Sequence, residues 1–218
     1  MVSPAVGHRL VRAAVLVTAF LATARKTYPQ VIDFESNGLH YQALTKGNVT
    51  VTFAKLPPHV AGYNVMQVTV TNGSPVSWVI KPEDFAFWRQ DASSVRAAPA
   101  DDVIETLLAR ATKSDVVKLQ LLYESTIYAM PPTYRSTSGY ERRRESAMTV
   151  MANAKIKAAA AASAITLVST KLKPGESTDG AVFFENREKL LGSGRLVVNV
   201  AGEIFQFDVY PDVNVRTK

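Results

Sequence analysis

Between Gly38 and Arg89 apolar side chains recur at every second position. Val49, Val51 and Phe53 alternate with Thr50 and Thr52, while Met66, Val68 and Val70 alternate with Gln67 and Thr69. A period of two puts the two sets on opposite faces of an extended chain, so these runs predict half-buried strands. Turn formers punctuate them. Leu56-Pro57-Pro58 follows the first run, and Asn72-Gly73-Ser74-Pro75 follows the second, where Asn-Gly readily supplies positive φ. Val76 to Ile80 predicts another strand, and Phe85-Ala86-Phe87-Trp88 alternates large and small groups. Both tryptophans, Trp78 and Trp88, are expected in the core.

The period changes near Pro99. From Ala100 to Ala111 the apolar residues Val103, Ile104, Leu107, Leu108 and Ala111 fall within one arc of a helix, and Asp101 and Asp102 complement the positive end of its dipole. A second helix is expected after Ser114 as N-cap, with Val116, Leu119, Tyr123, Ile127 and Met130 on one face, ending at Pro131-Pro132. Thr133 to Gly139 reads as a loop. A third, alanine-rich helix is expected from about Tyr140 to about Ala164, its run Ala158 to Ala162 allowing close backbone approach.

Alternation returns at Thr166. Lys173-Pro174-Gly175-Glu176 has proline and glycine where a type II turn needs them. Strands are expected at Ala181 to Glu185, Arg195 to Ala201 and Glu203 to Tyr210, the last two joined as a hairpin at Ala201-Gly202. Strands at both ends and helices in the middle predict a mainly β chain with α content. The expected form is one antiparallel immunoglobulin-like β-sandwich, residues 38–212, with a three-helix insertion at about 100–164. Residues 25–37 are expected as a linker and 213–218 as a tail.

The N-terminus carries an address. His8, Arg9 and Arg12 precede an apolar stretch from Ala13 to Leu21 and then Ala22-Thr23-Ala24. Basic, apolar and small-residue regions in that order predict a signal peptide, residues 1–24, cut after Ala24. Arg25 and Lys26 close the apolar run well short of the roughly 20 residues that a membrane span needs. The expected location is extracytoplasmic, with no transmembrane span after cleavage.

The 218 residues carry a net charge of +6 and no cysteine, which excludes disulfides, thiolate catalysis and cysteine zinc sites. Removing Arg9 and Arg12 with the signal leaves a mildly basic chain. No nucleic-acid-binding motif accompanies that charge, so no nucleic-acid partner is expected.

Two stretches resemble a known group. Val68-Thr-Val-Thr-Asn-Gly-Ser with Trp78, and Leu172-Lys-Pro-Gly-Glu-Ser-Thr-Asp-Gly-Ala-Val-Phe-Phe, are similar to strands of exported bacterial immunoglobulin-like sandwich domains, especially the telokin-like group. The likeness covers the two β portions and not the helical middle. It implies an extracytoplasmic, mostly non-catalytic domain and brings no active-site residues with it.

Catalytic constellations are sparse. His40 and His59 are the histidines outside the signal, and neither has helical zinc-ligand spacing or an identifiable third ligand. Gly175 to Gly180 is not a nucleophile elbow, because it leads into a strand. Gly192-Ser193-Gly194-Arg195 lacks the lysine and the helix of a phosphate loop. Asp101, Asp102 and Glu105 form a compact acidic cluster, read here as dipole complements. Asn48-Val49-Thr50 and Asn72-Gly73-Ser74 match the glycosylation sequon, with Pro75 disfavouring the second.

The strongest surface signal is Tyr134, Arg135, Tyr140, Arg142, Arg143 and Arg144, whose guanidinium forks and phenols suit an anion, a glycan or a protein partner. A solvated helix face with Glu141 and Glu145 pairing locally is the plainer alternative. The function expected is therefore non-catalytic binding of an envelope protein or wall polymer, with no cofactor and no metal. The rivals are an extracytoplasmic hydrolase built on Asp101, Asp102, Glu105 and a histidine, and a structural component of an assembly that self-associates through an exposed strand.

Overall fold

A computed structural model describes residues 29–36, 38–119, 154–186 and 191–210. The proposed signal and tail, and the Tyr134 to Arg144 cluster, lie outside the described residues. The chain is mainly antiparallel β with helices. One sheet has five strands in the order β1 (Ile32–Ser36), β2 (Leu39–Lys46), β3 (Val49–Val60), β4 (Tyr63–Asn72) and β9 (Ser177–Glu185). A second has the order β11 (Glu203–Val209), β10 (Gly194–Val200), β6 (Phe85–Arg89) and β7 (Ser94–Arg96). A short pair joins β5 (Trp78–Ile80) to β8 (Thr170–Leu172).

The two larger sheets share one core. Val51, Phe53, Met66, Val68 and Phe184 of the first meet Phe85, Phe87, Leu196, Phe205 and Phe207 of the second. Ring contacts cross between them, Phe53 to Phe207 at 5.0 Å and Phe87 to Phe184 at 6.3 Å. Each such side chain, fully buried, stabilises the fold by roughly 1.5–3 kcal/mol. The strand groups before and after the helices thus interleave, since β9 pairs with β4 and β10 pairs with β6.

A second apolar cluster lies on the other side of the five-stranded sheet. There Leu56, Val65, Ala181 and Phe183 meet helices α1 (Ala100–Arg110) and α2 (Ala154–Ile165) through Val103, Leu107, Ala158 and Ala162. The buried alanines let the two helices pack closely, as the Ala158 to Ala162 run predicts. Leu119, from helical residues 113–119, joins the same cluster.

Several expectations need correction. Residues 32–36, read as linker, form the edge strand β1, paired antiparallel with β2 from Ile32↔Ala43 to Ser36↔Leu39. Leu56-Pro57-Pro58 does not end a strand. β3 continues to Val60 with a register shift between Leu56 and His59, because prolines cannot donate to the ladder but are accommodated at an irregularity. The turn between β3 and β4 instead comes at Ala61-Gly62, both with positive φ. The N-cap before residues 113–119 is Thr112, not Ser114. The Asp115 amide donates to Thr112 Oγ1 at 3.3 Å, and the Thr112 amide donates to Asp115 Oδ2 at 2.8 Å, a reciprocal capping box.

Other turns follow the sequence. Gly175 has φ +80, and the Glu176 amide donates to the Lys173 carbonyl at 3.0 Å, as a type II turn requires. Ala201 and Gly202 both take positive φ between β10 and β11, the twist that a two-residue hairpin favours.

Candidate functional site

The four-stranded sheet buries one face and exposes the other. Phe85 and Phe87 of β6 point into the shared core, so Ala86 and Trp88 must point away from it. Trp88 is accordingly 45% exposed, which corrects its expected place in the core. Trp78 differs. It is half-buried, packs against the shared core, and its indole N–H donates to Ser74 Oγ at 3.4 Å.

Strand register builds a mixed surface around Trp88. Its neighbour across β10 is Arg195, whose own neighbour across β11 is Asp208. The Arg195 Nε donates to Asp208 Oδ1 at 3.1 Å, an exposed ion pair of modest energetic weight. One step along, Ala86, Val197 and Gln206 form the next row, and beyond it Asn199 faces Ile204. Ile204 is 52% exposed and Tyr210, just past β11, is 71% exposed. Apart from Ala86, these side chains line an open hollow of about 720 Å³ that also takes in Arg89, Gln90 and Ser193.

Gly194 positions the site. A Cβ there would lie 2.3 Å from the Trp88 carbonyl oxygen and 2.4 Å from the Phe87 ring. Only glycine lets β10 approach β6 so closely beside Arg89, one position along from the row that carries Trp88. The Gly192 to Arg195 stretch therefore serves strand packing at the mouth of the hollow. Arg89 adds a contact to Ser93 Oγ, and the Ser93 amide donates to Asp91 Oδ1 at 2.9 Å. The Ser93 hydroxyl and amide, with Arg89 close by, hold the Asp91 carboxyl below its usual range.

The residues raised by the hydrolase alternative lie elsewhere. Asp101, Asp102 and Glu105 are exposed on α1. His40 Nε2 sits 3.5 Å from Asp33 Oδ1 at the β1–β2 edge, and His59 Nε2 is 2.9 Å from the Asn186 carbonyl. Among the described residues, no three His, Cys, Asp or Glu side chains form a group able to hold a metal ion. Nor, among them, is any helix long and apolar enough to cross a membrane.

The second sequon is occupied structurally. Asn72 is fully buried, its amide donating to the carbonyls of Val76 and Leu172 while its oxygen accepts from the Ser74 amide and hydroxyl. Gly73 beside it does not take the positive φ expected of Asn-Gly. Its place is set by crowding, since a Cβ would lie 2.6 Å from the Asn48 carbonyl oxygen. Asn48 itself is exposed at the β2–β3 turn.

No protein-family model, curated protein or solved structure matches this chain.

Proposed function

We propose that this protein is exported and works by contact, its immunoglobulin-like β-sandwich presenting the open face of the four-stranded sheet to an envelope protein or wall polymer. The observation that carries the reading is the exposure of Trp88 on that face. Single exposed apolar side chains are ordinary. Here an indole shares one surface with Val197, Ile204 and Tyr210, and contiguous exposure of that kind marks interaction sites. The sheet beneath is anchored, because Leu196, Val198, Val200, Phe205, Phe207 and Val209 of β10 and β11 are buried in the shared core. The basic, apolar and small-residue order of residues 1–24 supports the exported address.

Photo-crosslinking in the native host, followed by fractionation, tests this reading. A photoreactive phenylalanine analogue is placed at Gln206 or Ser94 on the open face and, as control, at exposed Leu108 on α1. Envelope adducts are expected from the two face positions and not from α1, on a chain whose mass corresponds to loss of residues 1–24. Equal yields from all three positions, or an intact Met1 chain in the cytosol, would overturn it.

A further inference from the structure

We propose that the ligand of the open face is a neutral glycan chain, stacked on Trp88 and held by the polar side chains that surround it. This rests on the contact reading above and gives that contact a chemical class. The first support is the kind of surface. A sugar ring has an apolar face of weakly positive C–H groups and a rim of hydroxyls. The negative face of an exposed indole complements the former. Amides and a guanidinium–carboxylate pair complement the latter, because they offer both donors and acceptors. Register supplies both in one row, Trp88 beside Arg195 beside Asp208, with Gln206 and Asn199 in the rows that follow. Strand spacing makes the first row about 10 Å long, enough for a chain rather than a single small group.

Charge is the second support. Arg195 is paired with Asp208 at 3.1 Å, and Arg89, the other arginine lining the hollow, donates to Ser93 Oγ at 3.4 Å. The lining thus holds two arginines and one aspartate, an excess of a single positive charge. A polyanion such as nucleic acid needs several unanswered cations, more than this lining offers. Size is the third. Thirteen residues line a hollow of about 720 Å³, within the range of small-ligand sites. A stable protein interface takes roughly 20–30 residues a side around a dry apolar centre. Here Trp88 shares its row with the Arg195–Asp208 pair, and Ile204 faces Asn199.

The chain contains two tryptophans, so Trp78→Phe leaves Trp88 as sole indole reporter in the full-length protein. The probes are cellohexaose, chitohexaose, xylohexaose and mannohexaose, with polygalacturonate oligomers as the acidic comparison. A saturable blue shift of Trp88 emission is expected with at least one neutral probe. Calorimetry on the otherwise unaltered chain should show binding weakened at least about tenfold by Trp88→Ala, with the melting temperature unchanged. Trp88→Tyr should restore part of that loss, and Gln206→Ala should weaken binding by a smaller factor. If no neutral probe binds while face-specific photoadducts persist, the glycan inference falls and the contact reading stands. Binding to the acidic oligomers alone, or neutral binding indifferent to Trp88→Ala, also overturns the inference. Loss of the face-specific adducts together with all glycan binding removes both readings.

Discussion

The outer faces of the two large sheets have opposite fates. On the five-stranded sheet, β4 and β9 are buried on both sides, toward the shared core through Met66, Val68, Val182 and Phe184 and toward the helices through Val65, Ala181 and Phe183. On the four-stranded sheet, β10 and β11 are buried on one side only, and Arg195, Asn199, Gln206 and Asp208 face outward. Strands buried on both faces read as continuous apolar runs, and strands buried on one face alternate. Ala181-Val182-Phe183-Phe184 is such a run, and Phe205-Gln206-Phe207-Asp208-Val209 alternates. The difference teaches that the helices are a cover chosen by one sheet's sequence, while among the described residues the other sheet keeps its outward face exposed.

Breaking the covered face should have the largest effect. Phe183 is fully buried against the helices, with its ring edge-on to Tyr63 at 5.9 Å. Phe183→Ala should cost about 3–5 kcal/mol, read as a lower urea midpoint with little change in slope.

A smaller effect is expected where the covering helices are pinned. Burial is the strongest single influence on Asp115 and pushes its carboxyl upward. The Thr112 amide and hydroxyl and the Ala61 amide together outweigh it, with help from Lys118, so its pKa lies below the usual 3.8. The Asp115 contribution is thus complete above that ordinary value and is lost as pH falls through the depressed one. Asp115→Ala should cost about 0.5–2 kcal/mol at neutral pH, the range for a lost helix cap. It should also flatten the loss of stability below pH 3.8, measured by denaturant titration across the acid range.

The smallest effect belongs to the open face. Trp88→Ala should change stability by no more than about 0.5 kcal/mol in the same titration, as surface substitutions do. A loss as large as that of Phe183→Ala would mean that Trp88 holds the fold, and the contrast between the two faces would fail.

Much of the strand and helix pattern is legible along the chain, and so is the parity that exposes Trp88. Phe85 and Phe87 share one face, so Trp88 had to share the other with Ala86. Placing it in the core weighed size above alternation. The arginine–tyrosine cluster that looked strongest as a surface signal lies outside the described residues, whereas the mixed face around Trp88 carries no contiguous motif at all. Its residues come from β6, β10 and β11, more than a hundred positions apart.

Local chemistry therefore determined most of the elements by itself, the edge strands β1 and β7 excepted. Alternation made strands, a helical arc made α1, and paired positive-φ residues made the hairpins. Tertiary structure alone decided which sheet the helices cover, that Pro57 and Pro58 sit within a strand, and that Trp88, Arg195 and Asp208 stand in one row. The physical reason is range. Periodicity and turn propensity act over a few residues, while strand register and the burial of a second face depend on partners that only the closed core brings together.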